Sequence, residues 1–295
     1  MKVNTLSLFL IKLLVIKQIK KRRKHYPPHS FKEWVNVYYT NKKNKYLSYD
    51  VYLANEENRK HRCVIDIHGG AYIFGEHKDN YPFGYELLKA GYDVILLDYI
   101  PNNGRRDLID IINNLVDSFN HIRNHLNEYD LPNDDFVFAG DSAGGHLALL
   151  FSEMYSNKDI AKKLTLDLPD FNVVGVVANS PAYKYDELGE GTLTNAGLRK
   201  MKGPRYKDKE YLKTLSPHTY IYDLKFPLFL STCKLDFIRS ETLALKEDLK
   251  DKKDLVFVDI DSDNKEADHV HNVTKVQLEE SKEVNNKIIE FIEKL

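Results

Sequence analysis

Six short apolar runs recur between segments of helical period, and that alternation leaves the chain few folds to choose from. The runs are Cys63-Val64-Ile65-Asp66-Ile67, Asp93-Val94-Ile95-Leu96-Leu97, Phe136-Val137-Phe138-Ala139, Val173-Val174-Gly175-Val176-Val177-Ala178, Phe226-Pro227-Leu228-Phe229-Leu230-Ser231 and Leu255-Val256-Phe257-Val258-Asp259-Ile260. Continuous hydrophobicity, rather than alternation, marks strands buried on both faces, and helices between them make the connections parallel. From Arg106 to about Asn127, Leu108, Ile111, Ile112, Leu115, Phe119, Ile122 and Leu126 return every three to four residues, as the stripe of an amphipathic crossover helix does. Further helices are expected over residues 143–156, 239–252 and 274–294. Two earlier β-rich runs, residues 34–39 and 46–53, flank a polar turn and read as a hairpin. The expected architecture is α/β, an eight-stranded mostly parallel sheet with helices on both faces. At 295 residues the chain can hold it as one domain, residues 31–295, with a substantial core.

The composition removes several classes of function. A formal net charge of -1 gives no global field for nucleic acid. No Cys/His cluster has zinc spacing, and the two cysteines, Cys63 and Cys233, read as buried, reduced thiols. Residues 6–16 are strongly apolar and are followed by Lys17, Lys20, Lys21, Arg22, Arg23 and Lys24. The stretch is too short to span a bilayer, is interrupted by Lys12, and has its charge on the wrong side for a signal peptide. Two readings of residues 1–30 stand: a helix packed over the body as part of a cap, or a basic helix whose residues 1–24 lie on an anionic membrane surface. The expectation is a cytoplasmic protein, membrane-associated under the second reading.

Chemistry enters at Gly140-Asp141-Ser142-Ala143-Gly144, which follows an apolar strand and opens a helix. Strand, tight turn and helix in that order form the elbow that lifts a nucleophilic serine off a sheet edge, and the flanking glycines let neighbouring backbones approach. A serine needs a base, and the base needs a third group to hold its tautomer. In chain order Ser, acid, His, the acid should follow the seventh strand, where Asp236 stands. The base should follow the eighth, where Ala267-Asp268-His269-Val270-His271 supplies two histidines. After the third strand, His68-Gly69-Gly70-Ala71 has the place and the glycines to aim backbone N–H groups at a developing oxyanion. With the N–H of Ala143, those of Gly69 and Gly70 would make the hole. A charged, glycine-containing insertion at about 183–217 is long enough to act as a lid.

Taken together, His68-Gly69-Gly70-Ala71-Tyr72, Asp98-Tyr99, Gly140-Asp141-Ser142-Ala143-Gly144-Gly145, Ser216-Pro217, Pro227 and Asp236-Phe237-Ile238-Arg239-Ser240-Glu241 resemble the hormone-sensitive-lipase-like branch of the α/β hydrolases from about residue 45 to the C-terminus. The resemblance implies an α/β-hydrolase fold with a cap from the N-terminal segment and the insertion. It also implies cofactor-free hydrolysis of small-molecule carboxylic esters, with acyl chains of short to medium length. It casts Ser142 as nucleophile, Asp236 as acid and Gly69, Gly70 and Ala143 as oxyanion donors. The family's histidine usually heads a His-x-Phe element; His269-Val270-His271 resembles it with His271 in the Phe place, so His269 is the expected base. Tyr72, Tyr99 and Tyr183 are the candidates for the substrate pocket. Two departures are Ala71 for the third glycine of His-Gly-Gly-Gly and Tyr99-Ile100-Pro101 for the usual Tyr-Arg-Leu. Formamidases, some peptidases and non-catalytic binding proteins share the scaffold, so fold alone does not choose among them.

Overall fold

A computed structural model of the chain describes residues 23, 26–28, 30–41, 43–132 and 135–295. The expected N-terminal helix falls outside them, apart from Arg23, which binds Asp79 at 2.7 Å and Glu76 at 3.1 Å. Among the described residues no helix is long and apolar enough to cross a membrane.

One sheet carries the molecule. Its strands are β1 (Lys32–Tyr38), β2 (Ser48–Leu53), β3 (Cys63–Ile67), β4 (Asp93–Leu97), β5 (Phe136–Asp141), β6 (Val173–Asn179), β7 (Leu228–Cys233) and β8 (Leu255–Ile260), in the spatial order β1-β2-β4-β3-β5-β6-β7-β8. β1 and β2 form the antiparallel hairpin, β2 pairs antiparallel with β4, and every pair from β4 to β8 is parallel. Strands β2 to β5 are buried at every position, which explains the continuous rather than alternating hydrophobicity of β3, β4 and β5. β7 begins after Pro227 rather than at Phe226, because a proline lacks the N–H that a parallel ladder needs there.

Helices cover both faces: α1 (Tyr81–Lys89), α2 (Leu108–Asn124), α3 (Ala143–Ser156), α4 (Asn195–Lys202), α5 (Lys209–Thr214), α6 (Arg239–Asp248), α7 (His271–Thr274) and α8 (Glu279–Glu293). α2 buries Leu108, Ile111, Ile112, Leu115, Phe119 and Ile122 as its period requires, and one core forms from it, α3 and the sheet. α1 and α8 close the opposite face over Val64, Val94, Val137 and Val177. The insertion between β6 and β7 folds as α4 and α5, and its Tyr185, Leu212 and Leu215 join the main core. The terminal helix expected over 274–294 starts later, at Glu279, and a separate single turn, His271–Thr274, precedes it.

Candidate active site

At the C-terminal edge of the parallel strands the chain turns from β5 into α3 through Ser142. Ser142 has φ 53° and ψ −115°, a conformation sparsely populated for a residue with a side chain. The neighbours hold it there: Ser142 N–H donates to Asn179 O at 2.9 Å, and Ser142 O accepts from His146 and Ala182 N–H, both at 3.1 Å. A Cβ at Gly140 would overlap the Gly144 carbonyl, and one at Gly144 would overlap the Ile67 carbonyl, so the elbow can close only on glycines. Ser142 is half-buried, and the first N–H groups of α3 open beside it.

The acid and the base meet across the ends of β7 and β8. A lone parallel bridge joins Leu235 to Asp268, and the next residue on each segment supplies the partner. His269 Nδ1 lies 2.7 Å from Asp236 Oδ1, which also accepts from Ile238 N–H at 2.9 Å, while Oδ2 accepts from Thr232 Oγ1 at 2.9 Å. Burial raises the Asp236 pKa, but the hydrogen bond and charge of His269, the Ile238 N–H and Ser180 outweigh it and hold the carboxyl below its ordinary value. Asp236 is therefore ionised at neutral pH and holds a carboxylate oxygen against the His269 ring. The His269 charge also acts on Asp141, the residue before Ser142. His271 is turned the other way. Val270 takes the left-handed conformation at φ 53°, and His271 Nδ1 pairs with Ser281 Oγ at 2.8 Å, buried beneath α8.

On the other flank, residues 70, 71 and 72 all have positive φ, 113°, 50° and 64°, which carries the loop after β3 over the elbow. Gly69 corrects the sequence-based donor set. Its N–H is buried and donates to Asp141 Oδ1 at 2.9 Å, so it has no hydrogen left for a substrate oxygen. The N–H groups of Gly70 and Ala71, both half-exposed, have no acceptor among the described residues.

Beneath this loop lies a buried ionic layer that the sequence reading did not assemble. Asn80 Nδ2 donates to Asp141 Oδ1 at 2.8 Å and to Asp66 Oδ2 at 2.6 Å. Burial and then the Asp141 charge push the Asp66 carboxyl up to about 7, and burial raises Asp141 as well. His68 stacks on Tyr99 with centroids 4.3 Å apart, turns Nδ1 to Gly69 O at 2.6 Å and places Nε2 3.3 Å from Asp98 Oδ1. His77 sits between Asp98, through Nδ1, and Asp50, 2.9 Å from Nε2. Burial alone would lower the His77 pKa, yet the two carboxylates raise it to about 10 and are themselves held low. A signal was present in the sequence: Asp66 interrupts an apolar strand.

The three tyrosines expected in the substrate pocket are buried at 0% exposure, and each hydroxyl is used inside the protein. Tyr99 donates to His68 O at 3.1 Å, and Tyr183 to Asp248 Oδ2 at 2.7 Å. Tyr72 donates to His146 Nδ1 at 2.6 Å; burial pushes His146 down to about 4, so its neutral ring donates through Nε2 to Leu215 O at 2.8 Å. Tyr185 stacks on His146 at 5.2 Å and meets Tyr72 edge-on at 5.2 Å, which ties the loop, α3 and the insertion together. Among the described residues no group of three or more His, Cys, Asp or Glu converges on a metal position.

The strand order, the crossover helices and the elbow at the end of β5 define an α/β hydrolase. Within that class the chain belongs to the BD-FAE family, whose model matches residues 49–243. Esterase B from Lactobacillus rhamnosis, in a crystal structure with a tributyrin phosphonate inhibitor, superposes with a TM-score of 0.84 at 20% identity, over 96% of this chain and 92% of that one. An esterase from Pyrobaculum calidifontis gives 0.66 at 19% identity, over 94% and 90%. A bacterial heroin esterase gives 0.69 at 16% identity, over 99% and 93%. No curated protein matches the chain in sequence.

Proposed function

We propose that the chain hydrolyses carboxylic esters through an acyl-enzyme on Ser142. The observation that carries this reading is the 2.7 Å Asp236–His269 pair on the same sheet edge as a serine held in elbow conformation. His269 Nε2 takes the Ser142 proton as Oγ attacks the ester carbonyl, and the oxyanion turns to the N–H groups of Gly70, Ala71 and Ala143. The imidazolium, stabilised by ionised Asp236, returns the proton to the departing alcohol. Water then attacks the acyl carbonyl as His269 takes its proton, and the imidazolium passes that proton to Ser142 Oγ as the serine–acyl bond breaks and the acid leaves. The insertion at 183–217 acts as the cap, since Tyr185 and Leu215 anchor it to the loop and to α3. Short to medium acyl chains are the substrate class, supported by the tributyrin phosphonate on the structurally similar esterase B. The two free cysteines favour a reducing, cytoplasmic setting.

The test is a p-nitrophenyl butyrate assay beside fluorophosphonate labelling. Wild type is expected to turn over and to label at Ser142; Ser142→Ala is expected to do neither while unfolding at the same temperature. Hydrolysis that survives in Ser142→Ala overturns the assignment. Faster turnover of N-formyl aromatic amides or peptide anilides than of esters moves the bond to an amide. A membrane contact through residues 1–24 is read separately, from pelleting with anionic vesicles before and after their deletion.

A further inference from the structure

Phe237 follows the acid Asp236 and stands out as a large apolar side chain left 77% exposed at the chemical centre. Leu235, on the other side of Asp236, is 41% exposed. Their exposure does not come from a loose backbone: Asp236 N–H donates to Cys233 O at 3.1 Å, Ile238 N–H to Asp236 Oδ1 at 2.9 Å, and Arg239 N–H to Asp236 O at 3.2 Å. Among the described residues the one ring that Phe237 meets is that of His269, with centroids 4.3 Å apart and planes inclined at 54°. A phenylalanine so placed gains little from burial in the free protein, and its face is available to a ligand.

The reaction says which part of an ester comes there. The leaving oxygen must receive its proton from His269 Nε2, so the alcohol moiety lies against the imidazole when the tetrahedral intermediate collapses. The carbonyl oxygen is drawn the other way, toward Gly70 and Ala71. Resting on the esterase reading above, we propose that Phe237 is the wall of the alcohol subsite and determines a preference for esters of apolar alcohols, aryl or long alkyl. An aromatic alcohol stacks on the exposed ring face, and an alkyl chain covers it.

The experiment holds the acyl group constant. Methyl, hexyl, phenyl and 2-naphthyl acetate are assayed with wild type, Phe237→Ala and Phe237→Trp, beside a second series of methyl acetate, butyrate and hexanoate. For Phe237→Ala the loss in kcat/KM is expected to grow with the alcohol, reaching about tenfold more for 2-naphthyl than for methyl acetate and appearing mainly in KM. Phe237→Trp should keep the wild-type order, and the acyl series should keep its ratios in both variants. A loss equal across all alcohols and confined to kcat would mean that the ring only shields the His269–Asp236 pair, and would overturn the proposal. A change in the acyl series instead of the alcohol series would also overturn it. If wild type hydrolyses none of these esters, or Ser142→Ala hydrolyses them all, the esterase reading falls and takes this one with it.

Discussion

On the oxyanion flank of Ser142 the loop after β3 rests on buried charge: Asp141, Asn80 and Asp66 in one hydrogen-bonded chain, and Asp50, His77, Asp98 and His68 in another. On the acid–base flank the side chains sit at an open edge, with His269 15% exposed and Phe237 beside it in solvent. The two flanks have different work. Backbone donors stabilise a developing charge only if they are oriented before it appears, so their loop is held from below by groups that water cannot reach. A general base serves attack, leaving-group departure and water entry in turn, so its ring must face a space that alcohol and water can both enter. Rigidity is concentrated where geometry has to be fixed, and exposure where molecules have to pass.

The largest effects are expected where the open flank performs proton transfer. His269→Ala should lower kcat by about 10⁴-fold or more, and Asp236→Asn by a comparable factor because Nδ1 then loses the ionised acceptor that fixes its tautomer. The neighbouring histidine is the control. His271→Ala should leave kcat within a few-fold while lowering stability by about 1–3 kcal/mol, since it strips a buried partner from Ser281. Steady-state kinetics with a denaturation curve separates the two, and a 10⁴-fold loss in His271→Ala would exchange their roles.

Next comes the buried flank. Asp141→Ala frees the Gly69 N–H and lets the loop shift against the elbow, and about a 10²-fold loss in kcat is expected, the scale of removing one oxyanion donor. Asp141→Asn keeps an acceptor for Gly69 and should recover most of it. No difference between the two would mean that the carboxylate's charge, rather than its hydrogen bond, matters. Tyr72→Phe is smaller again: it leaves the buried Nδ1 of His146 without its donor, so a loss of about 1–3 kcal/mol in stability is expected with a change in kcat of only a few-fold.

The same contrast explains what the sequence could show. Ser142, Asp236 and His269 each follow an apolar run that becomes a strand, so chain order alone brings them to one edge, and the αL turn at Val270 settles which histidine faces the acid. The donor set was legible only as a motif. Whether Gly69 or Ala71 offers the free N–H depends on the reach of Asp141, 72 residues along the chain, which no local pattern encodes. The three tyrosines lie beside functional residues in sequence, yet their hydroxyls find internal acceptors and their rings fill the core. The ionic layer joins residues on β2, β3 and β5, in the loops after β3 and β4, and on the 3-10 turn His77–Asn80, and its pairings exist only after folding.

The smallest expected effect belongs to Asp66 and is read in stability. Its folded pKa of about 7 stands above the ordinary carboxyl value, so the contribution of its protonated form is full below about pH 4 and is lost as pH rises through 7. Asp98 and Asp50 are shifted down, so theirs is present at neutral pH and fades as pH falls below 4. His77, raised to about 10, contributes fully below about 6.5 and loses its share as pH climbs through 10. Asp66→Asn keeps an oxygen for Asn80 Nδ2 and removes one titration, so the difference between variant and wild type isolates the window from 4 to 7. The variant's unfolding free energy should gain on wild type through that window and lead it by about 1–3 kcal/mol at pH 8, where the wild type holds Asp66 ionised in a buried site. Above pH 8 both curves should fall together, since His77 is common to both. A difference that stays flat from pH 4 to 8 would mean that Asp66 does not titrate in this range and that the buried flank carries its charge without a shared proton.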